Sequence, residues 1–248
     1  MKQYLPITLS DQTLIEPYLK NTGKTGAEYS FTTLYMWAGI FNSFYRVVPQ
    51  DGQSLLLVRS RKDPDAPWHF LYPMGAESSV PAEIALKVLK EAAEDHPFVV
   101  GALSREEAIA LQNTGAPHLE ILETRDSFDY VYQASSLVTL KGKKLQPKRN
   151  HLNAFTKDFP DFKVVPITQD EIPACLKMNY QWCQMMGCMY EVDLRQEACA
   201  VHKAFRGFRE LGLEGLMLLA DRQVIAYTLG ELFNKNTWLV HVEKAFPQ

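Results

Sequence analysis

The chain has 248 residues, of which 46% are hydrophobic and 22% charged, with a formal net charge of −3. This is an ordinary globular composition, long enough to bury one large core or two smaller ones. The slightly acidic balance excludes a protein dedicated to coating DNA or RNA, which carries an overall basic excess, and no DNA binding is expected. No run approaches the roughly 20 apolar residues of a membrane helix. The opening residues, from Met1 to Pro6, lack the apolar core of a signal peptide. A cytoplasmic location is therefore expected.

In chain order, Ser10–Leu19 reads as a capped opening helix. The aromatic-rich run Tyr29–Ala38 leads to a strand at Ser43–Val48. Ser54–Arg59 and Trp68–Tyr72 are short apolar runs bounded by Gly, Asp and Pro, as strands are. Pro81 opens an amphipathic helix over Ala82–Ala93, with Ile84, Ala85, Val88 and Leu89 at helical spacing. Phe98–Val100 predicts a buried strand. Ser104 and Glu107 have capping-box spacing ahead of a helix over Ala108–Gln112. Asp126–Tyr132 alternates and predicts a further strand.

Beyond a basic stretch the pattern begins again. Pro147–Phe159 reads as a helix and Phe162–Ile167 as a strand. Thr168 and Glu171 form a second candidate capping box, opening a helix that runs to about Cys183. Leu194–Leu211 predicts a longer helix. Three strand-like runs close the sequence, Leu213–Ala220, Val224–Phe233 and Thr237–Glu243, joined by turns short enough for antiparallel hairpins. The expected fold class is mixed α/β (α+β): two similar units, 1–138 and 139–248, each a mostly antiparallel mixed sheet flanked by helices.

Cys175, Cys183, Cys188 and Cys199 show no C-x-x-C pair, so neither a metal site nor a disulfide framework is indicated. Reduced, mostly buried thiols are expected. Met185, Met186 and Met189 with Trp182 and Tyr190 form a soft apolar patch of the kind that more often fills a core.

The stretch from Lys141 to Phe155, KGKKLQPKRNHLNAF, carries five basic residues up to Arg149 and no acid. Lys141, Lys143 and Lys144 fall in a linker bracketed by Gly142 and Pro147. Lys148, Arg149 and His151 fall in the first turns of the following helix. Cations there oppose the helix dipole, at about 0.3–1 kcal/mol each when exposed. Nothing in local folding rewards that placement, whereas a bound phosphate would meet both the free amides and the cations. A solvated surface is the alternative, and phosphate or tRNA contact is the expectation. Tyr130, Tyr132 and Phe155 could stack on bases, but aromatics of this kind are more often core.

Asp129–Tyr132, Leu140–Lys144, Lys148–Asn153 with Phe155, and the closing His241–Ala245 together resemble the bacterial family related to the C-terminal domain of phosphatidylglycerol lysyltransferase. The second unit, with Glu231 and His241 to Glu243 on its last two strands, resembles an acyltransferase of the GNAT superfamily. The resemblance covers essentially the whole chain. It implies a tandem GNAT-like fold that moves an aminoacyl group from aminoacyl-tRNA to an amine or hydroxyl. No tightly bound cofactor is implied; the donor is aminoacyl-tRNA or an acyl-coenzyme A, and the acceptor a small molecule or headgroup. In the lysyltransferases this domain follows a multi-helix membrane region that this sequence lacks, so lipid is not supported as the acceptor. The GNAT pattern also places a Gly-rich donor-binding loop after the strand ending at Glu243, so a chain truncated before that loop is expected.

Acyl transfer needs a base near the acceptor and donors for the developing oxyanion. Glu231, His241 and Glu243 are the candidates, and strand alternation predicts that His241 and Glu243 share one face. Lys244 is a further candidate for holding an anionic donor. A single strand histidine is more often structural. Ordinary acetyl-coenzyme A chemistry, or a non-catalytic module binding RNA, an anionic headgroup or a protein, fits the same residues.

Overall fold

The computed structural model describes residues 3–21 and 23–247. They form two compact units that divide at Thr124/Arg125, where the sequence reading set the division at 138/139. The fold is mixed α/β, with two sheets flanked by helices.

In the first unit the chain enters through β1 (Leu5–Pro6) and α1 (Gln12–Asn21). The cap ahead of α1 is Thr8, whose backbone N–H and hydroxyl both donate to Asp11 Oδ2 at 2.7 and 2.6 Å. Then come α2 (Phe31–Trp37), β2 (Phe44–Gln50) and β3 (Gln53–Ser60). The strands β4 (Trp68–Leu71) and β5 (Met74–Gly75) precede α3 (Ala82–Ala92), β6 (Phe98–Gly101) and α4 (Arg105–Asn113). The aromatic run after Tyr29 is thus a helix, started by Ser30, whose side chain accepts from the Thr33 N–H at 3.2 Å. The capping box at Ser104 and Glu107 forms as its spacing predicts, with bonds of 2.9 and 3.2 Å.

The first sheet runs β1-β2-β3-β4-β6, with β5 also on β3. It is antiparallel except where β6 lies parallel to β4. One face packs on α3 and α4 through Leu55, Leu57, Phe70, Leu89 and Leu111, all essentially inaccessible to solvent. Burying side chains of this size contributes about 1.5–3 kcal/mol each.

The second unit contains α5 (Ala134–Thr139), α6 (Gln146–Asp158), β7 (Lys163–Pro166), α7 (Ile172–Met186) and α8 (Val192–Arg206). The strands β8 (Glu214–Ala220), β9 (Gln223–Asn234) and β10 (Thr237–Ala245) complete it. Its sheet, β10-β9-β8-β7, is antiparallel throughout rather than mixed. Helix α7 packs on β9, where the buried Tyr227 hydroxyl donates to Asn179 Oδ1 at 3.0 Å. The Phe205 ring of α8 lies 5.4 Å from that of Tyr227. Burial raises the Tyr227 hydroxyl well above the usual range, so it stays protonated as the donor.

Three sequence expectations are corrected. Asp126–Tyr132 is no strand: it holds a single 3-10 turn at Arg125–Ser127 and then irregular chain. Its alternation has no partner strand to meet, and Tyr130 and Tyr132 are 82% and 63% exposed rather than core. The Met185, Met186, Met189 and Tyr190 patch is also exposed, because it lies at and beyond the end of α7. Finally, α8 ends at Arg206, five residues before the predicted Leu211. There a Gly207 cap interrupts the helix, and the apolar spacing continues into turns whose Phe208 and Leu211 are still buried.

At Gly230 β10 and the Trp238 ring lie against β9 with no room for a side chain. A Cβ there would sit 2.5 Å from Leu239 O and 2.5 Å from Trp238 Nε1. Because the nearest atom is backbone, Gly230→Ala is expected to destabilise the second unit by about 1–3 kcal/mol, measured by urea unfolding.

Candidate functional site

The histidine and acids of the last hairpin are arranged by a β-bulge. Val240 pairs with Gly230 and Val242 with Leu229, so His241 is the extra residue. Such an insertion re-aims a side chain and breaks strict alternation. Glu231 follows the buried Leu229 by two residues and therefore shares its helix-covered face. His241 Nε2 lies 3.0 Å from Glu231 Oε1, with the imidazole side chain 4% exposed and the carboxylate 18%. The ring nitrogen donates and the carboxylate accepts. Glu231 is thus the member of the pair that solvent reaches.

Glu243 is placed differently. It pairs with Thr228, which lies in turn opposite Leu216, so these residues belong to the other face of the sheet. There Val164, Leu216, Leu218, Thr228 and Glu243 line an open groove of about 430 Å³. The expectation that His241 and Glu243 converge on one face therefore gives way to a His241–Glu231 pair, because the bulge intervenes.

Lys244 is buried on the helix side. Its ammonium is 2.8 Å from Glu197 Oε2 and 3.6 Å from the Trp182 ring. These contacts account for its charge without a bound anion.

The basic stretch divides into two groups. Arg149 is tied into the protein: its guanidinium donates to the carbonyl oxygens of Leu140 and Gly142 and to Gln146 Oε1. Leu140 ends α5 in a left-handed conformation, and Arg149 satisfies its carbonyl. Local folding does reward this cation, contrary to the expectation from the helix dipole. Lys141, Lys143, Lys144, Lys148 and His151 are exposed. They run from the turn after α5 into the first turns of α6, a helix that begins with Pro147 near its start, as the sequence indicates.

The cysteines also depart from expectation. Cys183 and Cys188 form a disulfide, with Cα atoms 5.0 Å apart, across the end of α7. Gly187, left-handed at φ 73°, turns the chain back so that the two meet. Cys199 is exposed, and only Cys175 is a free buried thiol. Burial first, then the Glu171 carboxylate, pushes the Cys175 thiol up to about 11 and leaves it inert as a nucleophile.

Spacing gave no warning of Lys24 in the first unit. Its ammonium pairs with Glu107 and lies 4.6 and 4.4 Å from the Tyr29 and Tyr72 rings. Burial favours its neutral form and Glu107 opposes that. A cavity of about 280 Å³ adjoins it. Tyr72 and Glu107 are far in sequence from Lys24 and Tyr29, so only the fold assembles the four.

Among the described residues, no cluster of His, Cys, Asp and Glu is placed to hold a metal ion. No helix among them is long and apolar enough to cross a membrane.

The two-unit α/β fold and the last hairpin define a domain class that comparison makes specific. The family described as phosphatidylglycerol lysyltransferase, C-terminal, matches residues 20–248. The chain belongs to that family. A conserved protein of unknown function from Bacteroides thetaiotaomicron is 31% identical, with a TM-score of 0.85 over 99% of this chain and 80% of its own. The C-terminal domain of a protein described as a lysylphosphatidylglycerol synthetase, from Agrobacterium fabrum, shares the fold. Its TM-score is 0.52 at 12% identity, covering 96% of this chain and 69% of that one. No curated protein matches the chain.

Arg149→Ala is expected to free the Leu140 and Gly142 carbonyls. Amide hydrogen exchange over residues 140–149 should then quicken several-fold, while α7 and β9 keep wild-type protection.

Proposed function

We propose that this protein transfers an acyl or aminoacyl group from an activated donor to an amine or hydroxyl, with the His241–Glu231 pair at the reacting centre. The observation that carries the reading is the bulge that sets His241 against Glu231 at 3.0 Å, in a chain of a family described by a transferase. The second unit is consistent with a GNAT-like domain, which supports acyl transfer over other transferase chemistry.

In this reading Glu231, the more accessible member, takes the proton of the acceptor as its nitrogen or oxygen attacks the donor carbonyl. A C–N or C–O bond forms, and the donor's ester or thioester bond breaks. The leaving oxygen or sulfur is protonated in turn. His241 acts as a positioning residue, holding the carboxylate by an Nε2–H bond, with its own ring fixed by near-complete burial. Glu243 lies on the other face of the sheet, lining the groove there, and takes no part in this step.

Donor phosphates fit the exposed cations Lys141, Lys143, Lys144 and Lys148, with the exposed His151 beside them as a further hydrogen-bonding group. Arg149 would order that segment rather than touch the donor. Aminoacyl-tRNA and acyl-coenzyme A both present such phosphates, and the cation set favours neither.

Purified protein is expected to transfer a labelled group from charged tRNA or from acetyl-coenzyme A to an amine. Glu231→Gln should lower the rate by about 10²–10⁴-fold. His241→Ala should lower kcat more than it raises KM, as befits a residue acting through Glu231. Lys148→Ala with Lys144→Ala should raise the donor KM with kcat little changed. Wild-type rates in Glu231→Gln would exclude this centre.

A further inference from the structure

The first unit carries a cluster of positive charge outside everything assigned above. On β2 and β3, Phe44 pairs with Arg59 and Leu57 with Arg46, so Arg46 and Arg59 are diagonal neighbours on one sheet face. Arg61 follows Arg59 by two residues and continues the row. Two aromatic rings hold these side chains in place. The Arg59 guanidinium carbon lies 3.6 Å from the Tyr4 ring and 3.9 Å from that of Trp68. Arg46 lies 4.7 Å from Tyr4, and Arg61 lies 4.2 Å from Trp68. Each ring therefore serves two cations.

Stacking orients guanidinium groups but does not neutralise them. Among the described residues neither Arg59 nor Arg61 has a carboxylate ion-pair partner within 4 Å. Glu94, just beyond α3, is the one acid whose field reaches Arg59, and its influence is the smallest acting there. Burial, with Arg46 and Arg61 adding their repulsion, works against the charge on Arg59, while Tyr4 favours it. Two polar atoms at the centre, the Tyr4 hydroxyl and Arg59 Nε, are enclosed and have no hydrogen-bond partner. All five side chains are half-buried, so the cluster is open to solvent on one side.

We infer that Arg46, Arg59 and Arg61, held by Tyr4 and Trp68, form a site for the phosphate group of a small molecule. Guanidinium forks match phosphate oxygens in pairs. A phosphate dianion would offset the repulsion at Arg59 and Arg61, which have no carboxylate ion-pair partner among the described residues. The row is short and confined to one end of the sheet, which suits one or two phosphate groups rather than a polymer backbone. This inference does not depend on the transferase reading, since it involves other residues in the other unit.

The test is titration of the whole chain with inorganic pyrophosphate and with AMP, followed by calorimetry and by thermal shift at matched ionic strength. We expect saturable binding of at least one probe, weakened at least tenfold by Arg61→Gln and by Arg59→Met. Lys235→Gln, which removes an exposed charge in the other unit, should bind as wild type does. If Arg59→Met does not fold by circular dichroism, Arg61→Gln decides alone. Absence of saturable binding, binding that survives the arginine changes, or an equal thermal shift from sodium chloride would each overturn the proposal.

Discussion

The chemistry available to the second unit hangs on how closely β10 can lie against β9. Gly230 permits that contact, with Leu239 O and the Trp238 indole where a side chain would otherwise stand. One step along, the bulge at His241 absorbs an extra residue and turns the imidazole toward Glu231. Beyond it, regular pairing resumes and carries Val242 and Lys244 into the helix-covered side, where both are buried. Without the close approach the hairpin would lose its register. Its histidine, its two acids and its buried lysine would then no longer be sorted between the two faces.

That sorting explains why the secondary structure was legible while the site was only half so. The capping box at Ser104 acts over three residues and forms where its letters fall. At Thr168, by contrast, only the Glu171 side chain reaches back, and α7 opens at Ile172 with Glu171 as its cap. The three closing strands are continuous apolar runs between polar turns and need no distant information. The bulge, by contrast, leaves no mark in the residues around His241, and alternation alone assigns His241 and Glu243 to one face. The helix at Phe31–Trp37 is rich in residues that favour strands; its start depends on Ser30 and its persistence on burial of Phe31, Leu34, Tyr35 and Met36.

Non-local pairings were invisible for the same reason. Asp126–Tyr132 has the letters of a strand but no partner, and a strand exists only through its neighbour. The Lys24 cluster reaches along the chain to Tyr72 and Glu107, and the Arg46, Arg59 and Arg61 row back to Tyr4. Cys183 and Cys188 meet because Gly187 turns at the end of α7, which their spacing alone does not announce. The basic stretch was readable as unusual, but not as two populations, one structural and one exposed.

That division has a consequence for electrolytes. Arg149 is engaged by backbone carbonyls and Lys244 by Glu197. Of its lysines and arginine, the stretch offers a polyanion only Lys141, Lys143, Lys144 and Lys148. Each cation that neutralises a nucleic-acid phosphate releases about 0.7 to 0.9 of a condensed counterion. An RNA resting on this stretch alone would thus release roughly 3 to 4 ions, too few to hold a long duplex at physiological salt. The salt dependence of any such contact would be set by those four lysines.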